Sequence, residues 1–182
     1  NVSDEKRTAF MQAYAPCHEA FARYCAALAY GRMDVQDLMQ DVLLTAFQQF
    51  ESIRKKDELL HYLIRAARNR SVSIWRVGKR NEAIADKHTE RLRDRGASAE
   101  LLVDVGILYK ELDHLPAAQR EALVLFEVSG LSMAEIAQVQ GTSEGNVKTR
   151  VSRARAALRE RLEGSGVRNS AGVFNTFITL LL

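Results

Sequence analysis

Ser132-Met-Ala-Glu-Ile-Ala-Gln-Val-Gln-Gly-Thr-Ser-Glu-Gly-Asn-Val-Lys-Thr-Arg-Val-Ser-Arg-Ala-Arg-Ala-Ala-Leu158 contains two helix starts separated by one forced stop. Ser132 precedes Glu135 by three residues, the capping-box spacing in which each side chain satisfies the other's orphan backbone N–H. The helix begun there runs only to about Val139, because Gly141-Thr142 follows. Ser143 then caps a longer helix that carries Val147, Val151, Ala154, Leu158 and Leu162 on one stripe. Short helix, tight turn and long helix make a helix-turn-helix.

Between Glu144 and Arg161 the long helix carries six cations, Lys148, Arg150, Arg153, Arg155, Arg159 and Arg161, against Glu144 and Glu160. The apolar stripe must face its own domain, so most of these cations point outward, toward phosphates or the base edges of a major groove. A solvated basic face that binds nothing has the same composition. The clustering of Asn146, Lys148, Thr149, Ser152 and Arg153 in the N-terminal half favours DNA, because that half enters the groove.

Upstream, Leu101, Leu102, Val105, Leu108 and Leu112 keep helical spacing, and Pro116 stands at the start of the next helix, where a missing N–H is tolerated. Residues 77–99 differ: Gly78, Gly96 and Ser98 lie among many charges and few large apolar side chains, so this stretch reads as a linker. In the first half, Val35, Leu38, Met39, Val42, Leu43, Ala46, Phe47 and Phe50 follow the period of an amphipathic helix. Phe10, Tyr14, Phe21, Tyr24 and Leu28 suggest one or two helices before it, broken near Pro16 and stopped at Gly31. Leu60, Leu63, Ile64, Ala67, Ile74 and Trp75 supply another. The expected fold is all-α: two small helical domains joined by a flexible charged linker, the second containing the helix-turn-helix. The boundaries fall at 1–78, 79–99 for the linker, 100–162, and a tail at 163–182.

The first half presents two polar faces of opposite sign. Arg65, Arg68, Asn69, Arg76, Lys79 and Arg80 share one side, with Tyr62 and Trp75 near in sequence. Cations beside aromatics suit an unstacked single strand, whose backbone needs counter-charge and whose bases offer π faces. Trp75 also fits the apolar stripe as a core residue, and Asn69 fits a base edge or a turn cap. The helix over 34–50 turns Asp37, Gln40, Asp41, Thr45 and Gln48 outward. This face is acidic, so the functional reading is a protein partner with basic residues, and the alternative is a solvated surface.

Composition bounds the remaining classes. A net charge of +3 is mild, and 47% hydrophobic residues with two prolines describe a folded helical chain. Cys17 and Cys25 lack metal-ligand spacing and are expected to be small buried hydrophobes in a reducing cytoplasm. No signal peptide is expected ahead of the charged start Asp4-Glu5-Lys6-Arg7, and no run approaches the ~20 apolar residues of a membrane span. His18, His61, His88 and His114 are scattered and no glycine-rich phosphate loop occurs, so no enzyme site, metal, cofactor or small-molecule substrate is expected.

The segment Leu115-Pro-Ala-Ala-Gln-Arg-Glu-Ala-Leu-Val-Leu-Phe-Glu-Val-Ser-Gly-Leu-Ser-Met-Ala-Glu-Ile-Ala137, continuing to Leu158, resembles the promoter-reading region of extracytoplasmic-function (ECF) sigma factors of bacterial RNA polymerase. Asp34-Val-Gln-Asp-Leu-Met-Gln-Asp-Val-Leu-Leu-Thr-Ala-Phe47 resembles their polymerase-binding helix. Tyr62-Leu-Ile-Arg-Ala-Ala-Arg-Asn69 resembles the start of their minus-10 element. The resemblance, spanning about residues 10–162, implies an alternative sigma factor that directs RNA polymerase to specific promoters. It implies that Asp37, Gln40, Asp41 and Leu44 dock on the β′ clamp, and that Arg68, Asn69 and Ser73 contact the melted minus-10 strand, with Arg65 and Arg76 beside them. Lys148, Thr149, Ser152 and Arg153, with Asn146 and Arg150, are then the minus-35 duplex readers. An inhibitory anti-sigma factor is an implied partner. Ser73 stands where the family often carries Asp or Asn, Asn146 replaces a usual Thr, and the tail from Glu163, apolar over Val173–Leu182, matches nothing in the pattern. The rival reading is a one-component helix-turn-helix regulator that binds a palindrome unaided.

Overall fold

Charged and apolar residues alternate with helical period through most of the chain, and in the computed structural model all regular secondary structure among the described residues is helical. The structure describes residues 2–53, 55, 58–75 and 82–167; of 73–75 and 82 it describes the backbone.

In the first half, α1 (Val2–Tyr14) and α2 (His18–Ala29) are separated by a single 3-10 turn, Ala15–Cys17, that accommodates Pro16. Gly31, at φ 70°, lets the chain leave α2. Asp34 then caps α3 (Val35–Gln48) by accepting from the N–H groups of Gln36 and Asp37. A second 3-10 turn, Phe50–Ser52, leads toward α4 (Leu59–Trp75). The core between these helices contains Phe21, Tyr24, Leu38, Leu59, Leu63 and Ile64, each at most 1% exposed. Phe10 meets Phe47 and Phe50 edge-on at 5.5 and 5.2 Å between ring centroids, which ties α1 to α3 and the turn after it.

In the second half, Ser98 caps α6 (Ala99–Leu112), and Pro116 occupies the N-cap of α7 (Ala117–Glu127). Ser132 and Glu135 form the full capping box of α8 (Met133–Gln140). Gly141 closes α8 in the left-handed region at φ 63°, and Ser143 caps α9 (Glu144–Gly164). Val147, Val151, Ala154, Leu158 and Leu162 are the buried stripe of α9, as the sequence requires.

Between the halves lies a difference from the expected linker. The charged stretch folds into α5 (Glu82–Asp94), and its His88 and Leu92 are 8% and 7% exposed. Only one or two apolar residues per turn are needed to dock a helix when its neighbours supply the rest of the surface. Here Tyr30 and Met39 of the first half line the seat. Gly31 donates its N–H to His88 Nδ1 at 3.0 Å, and the His88 ring lies 5.3 Å from that of Tyr30. Tyr30 stacks in turn on Tyr109 of α6 at 4.0 Å. The tail beyond Val167 lies outside the described residues, as do Arg76, Lys79 and Arg80.

Candidate nucleic-acid and protein interfaces

The capped start of α9 sets which of its side chains are available. Asn146 donates its backbone N–H to Ser143 Oγ at 3.2 Å, while its side-chain amide donates to Thr142 Oγ1 at 2.9 Å. Asn146 therefore braces the turn as well as facing outward. Thr149 donates its hydroxyl to the Gly145 carbonyl at 3.1 Å, which leaves its oxygen as an acceptor on an exposed helix face.

The six cations of α9 divide into two sets. Arg155 pairs with Glu127 and lies over the Phe126 ring, 5.2 Å from its centroid. Arg161 pairs with Glu111 at 3.2 Å, and Arg150 donates to Gln140 Oε1 at 2.7 Å. These three hold α9 to α6, α7 and α8. Lys148, Arg153 and Arg159 are exposed and form no ion pair with any described residue, so their charge is available to a polyanion. Lys148, Ser152 and Arg159 line a shallow surface concavity with Met133 of α8. Five of the six cations point outward, as the sequence predicts, and two of those five, Arg155 and Arg161, are also held in ion pairs. Arg150 in particular is half-buried and engaged with Gln140, a partner the sequence gives no sign of.

On α4, Asn69 is exposed and Arg65 half-buried. The Arg68 side chain is 34% exposed, and its Nη1 lies 3.0 Å from Glu121 Oε1. Ser71 is buried and donates to the Arg68 carbonyl at 2.8 Å. The backbone of Ser73 lies in the last turn of α4, whereas Arg76 lies outside the described residues. Tyr62 is half-buried, with its hydroxyl donating to Gln49 Oε1 at 3.0 Å.

The outer face of α3 matches its reading. Asp37, Gln40, Asp41, Leu44, Thr45 and Gln48 are all exposed, and Leu44, a large apolar side chain, is 59% accessible. An apolar residue ringed by carboxylates and amides has the composition of a protein contact. One cation intrudes: Arg70 Nη2 lies 2.9 Å from Asp41 Oδ2.

Sequence reasoning missed Glu121. It precedes the buried run Ala122-Leu-Val-Leu125, and its own side chain is 9% exposed. Its carboxylate accepts from Tyr24 Oη at 3.0 Å, Arg68 Nη1 at 3.0 Å and Gln140 Nε2 at 3.1 Å. Burial first, and the adjacent Glu121 charge second, push the Tyr24 phenol well above its usual range, so it remains a donor. An acidic residue beside an apolar stripe carries no mark of partners 97 and 53 positions away.

The described residues contain no cluster of His, Cys, Asp or Glu arranged to hold a metal, and no helix among them is long and apolar enough to cross a membrane.

Residues 11–81 match the family model for sigma-70 region 2, and residues 106–158 match that for sigma-70 region 4. The chain is 30% identical over 152 residues to the ECF RNA polymerase sigma factor SigM of Mycobacterium tuberculosis, covering 84% of this chain and 76% of that one. It is 33% identical over 147 residues to the RNA polymerase sigma-E factor of Streptomyces avermitilis, with 80% of each chain covered. Among solved structures, the sigma factor RpoE in complex with the anti-sigma factor NepR from Bartonella quintana superposes with a TM-score of 0.61 at 27% identity. That match covers 85% of this chain and 96% of the other. CnrH in complex with the cytosolic domain of CnrY superposes at 0.65 and 26% identity, covering 87% and 90%.

Proposed function

This chain belongs to the ECF sigma factors, and we propose that it directs RNA polymerase to specific promoters by holding the enzyme with α3 and reading two promoter elements with α4 and α9. The observation that carries the reading is the segregation of charge: α3 turns Asp37, Gln40, Asp41 and Leu44 outward, while α9 turns out Lys148 and Arg153. Carboxylates around an apolar residue suit a basic protein surface, and cations on a recognition helix suit duplex DNA.

In this reading residues 1–78 bind the β′ clamp and the minus-10 strand, and residues 100–162 bind the minus-35 duplex. The segment 79–99, with α5, connects them. Lys148 and Arg153 reach base edges or phosphates directly, Thr149 and Ser152 supply shorter polar contacts, and Asn146 and Arg150 shape the turn and the helix seat. Arg65, Arg68, Asn69, Ser73 and Arg76 meet the melted strand. The chain adds specificity to chemistry that resides in the polymerase, so it is not itself an enzyme, and it acts in the cytoplasm where polymerase and DNA are. An anti-sigma factor is its regulator, as the anti-sigma factor NepR accompanies a solved relative.

Run-off transcription with core polymerase on a promoter library tests this. The expected result is selection of a two-part motif that depends on the polymerase. Recognition of a palindrome by the chain alone, without association with polymerase, is the signature of a one-component regulator and overturns the reading.

A further inference from the structure

We infer that Asn146 selects adenine at one position of the upstream promoter element, because the turn before α9 fixes its amide with a donor and an acceptor left to face the duplex. The inference rests on the proposed role of α9 as the helix that reads duplex DNA, and it names the base that one side chain of that helix requires.

The amide is held from the chain side. Ser143 Oγ accepts the Asn146 backbone N–H at 3.2 Å, and Thr142 Oγ1 accepts from Asn146 Nδ2 at 2.9 Å. Thr142 is anchored in turn, its own N–H donating to the Ala137 carbonyl of α8 at 3.0 Å. A primary amide has two N–H donors and one carbonyl acceptor. Thr142 takes one of the donors, so one N–H and Oδ1 remain on an exposed side chain. Adenine presents the matching pair in the major groove, the N7 acceptor beside the N6 amino donor. Guanine offers two acceptors, N7 and O6, thymine an acceptor and a methyl group, and cytosine a donor alone. Adenine is thus the base that satisfies both atoms of the amide edge.

The surroundings leave that edge able to meet a base. Asn146 lies in the first turn of α9, the part of a recognition helix that approaches base edges. Gly145 beside it carries no side chain, and an added Cβ would meet only Ser143 Oγ, at 3.9 Å, so the adjoining surface is open to the duplex. Arg150, one turn further along, is directed to Gln140 Oε1 at 2.7 Å, so the nearest cation on that side of the helix does not take the place of the amide. The brace also favours binding, since a side chain already held in one orientation loses little rotamer freedom on contact. Thr, the usual residue of the family pattern here, has a single hydroxyl and cannot engage N6 and N7 of one adenine together. This chain should therefore differ from such relatives at one base pair.

The test is selection from a duplex library randomised across the upstream element, by holoenzyme assembled from core polymerase and the chain. Wild type is expected to require adenine at one position. Asn146→Thr is expected to lower that preference about five- to a hundredfold while the rest of the motif persists, the loss of one bidentate contact. Asn146→Asp, which offers acceptors alone, is expected to move the preference at the same position to cytosine, whose N4 amino group donates. Thr142→Val removes the brace but keeps the β-branched shape, and is expected to weaken the adenine preference by a smaller factor. An unchanged motif in both Asn146 variants, in protein with wild-type circular dichroism, overturns the inference and leaves the sigma reading standing. A uniform loss of affinity across all sequences, with the motif retained, marks a phosphate contact and overturns it equally. Absence of any polymerase-dependent motif in wild type overturns the sigma reading, and this inference with it.

Discussion

The Arg70 guanidinium and the Asp41 carboxylate, 2.9 Å apart, join α4 to α3 across the surface assigned to the polymerase. Both side chains are more than half exposed, at 56% and 52%, so the pair contributes about 0–1 kcal/mol to stability. Its effect is on availability: Arg70 occupies part of a carboxylate that a basic partner needs.

Arg70→Ala is therefore expected to leave the melting temperature close to wild type while tightening equilibrium binding to core polymerase. Asp41→Ala should weaken the same binding roughly fivefold or more, the effect of losing a contact worth about 1 kcal/mol. Leu44→Ala should also weaken it with no loss of fold, because Leu44 is 59% exposed. Wild-type affinity in Asp41→Ala, Asp37→Ala and Leu44→Ala would move the polymerase contact off α3.

The arginines of α9 should separate in assay as they do in the structure. Arg153→Ala and Lys148→Ala are expected to relax discrimination at the upstream promoter element by about 1–3 kcal/mol where a base is read directly, with little change in melting temperature. Arg155→Ala should instead lower the melting temperature, since Arg155 couples α9 to Glu127 and Phe126 of α7. Competition binding on variant promoter duplexes with the polymerase holoenzyme, beside thermal melts, distinguishes the two outcomes. Equal behaviour of Arg153→Ala and Arg155→Ala in both assays contradicts the division.

What could be read beforehand, and what could not, follows the range of each interaction. The capping box at Ser132 and Glu135, the stop at Gly141 and the stripe Val147 to Leu162 are set within a turn or two of the chain, and the structure reproduces them. The exposure of Asp37, Gln40 and Asp41 follows likewise from the period of α3, whereas Leu44 enters through the family resemblance alone. Contacts between distant segments were not legible. Nothing near Glu121 announces Tyr24 or Arg68, and nothing near Arg150 announces Gln140. The charged stretch that forms α5 has the composition of a connector because its own apolar content is low. Its burial is supplied by neighbours, with Tyr30 and Met39 lining the seat that receives His88 and Leu92.

The turn between α8 and α9 gives a stability test independent of DNA. Gly141 sits at φ 63°, where an L side chain is strained, although an added Cβ would meet nothing within 4 Å. Gly141→Ala is thus expected to cost about 1–2 kcal/mol from backbone conformation alone. Ser132→Ala should cost about 1 kcal/mol, through the lost cap to the Glu135 N–H. Chemical denaturation of the two single variants measures both costs. A neutral Gly141→Ala would mean that the turn adopts another conformation in solution.

Alkaline pH should destabilise the first half through groups that burial keeps protonated. Burial raises the Cys25 thiol far above its ordinary value of 9.0 and raises Cys17 as well. Burial, with smaller contributions from Cys25 and then Cys17, pushes the Tyr14 phenol from 10.0 up to about 12, and Tyr24 is raised well beyond 10.0. In the unfolded chain these groups lose their protons at the ordinary values, whereas the folded chain retains them, so the unfolded state binds fewer protons and gains ground as pH rises. The melting temperature, as far as these four groups determine it, should be level up to about pH 9 and then decline. In the Cys17→Ala/Cys25→Ala double variant only the tyrosines contribute, and the decline should begin near pH 10. An onset that does not move between wild type and the double variant would show that the thiols are not held protonated by the fold.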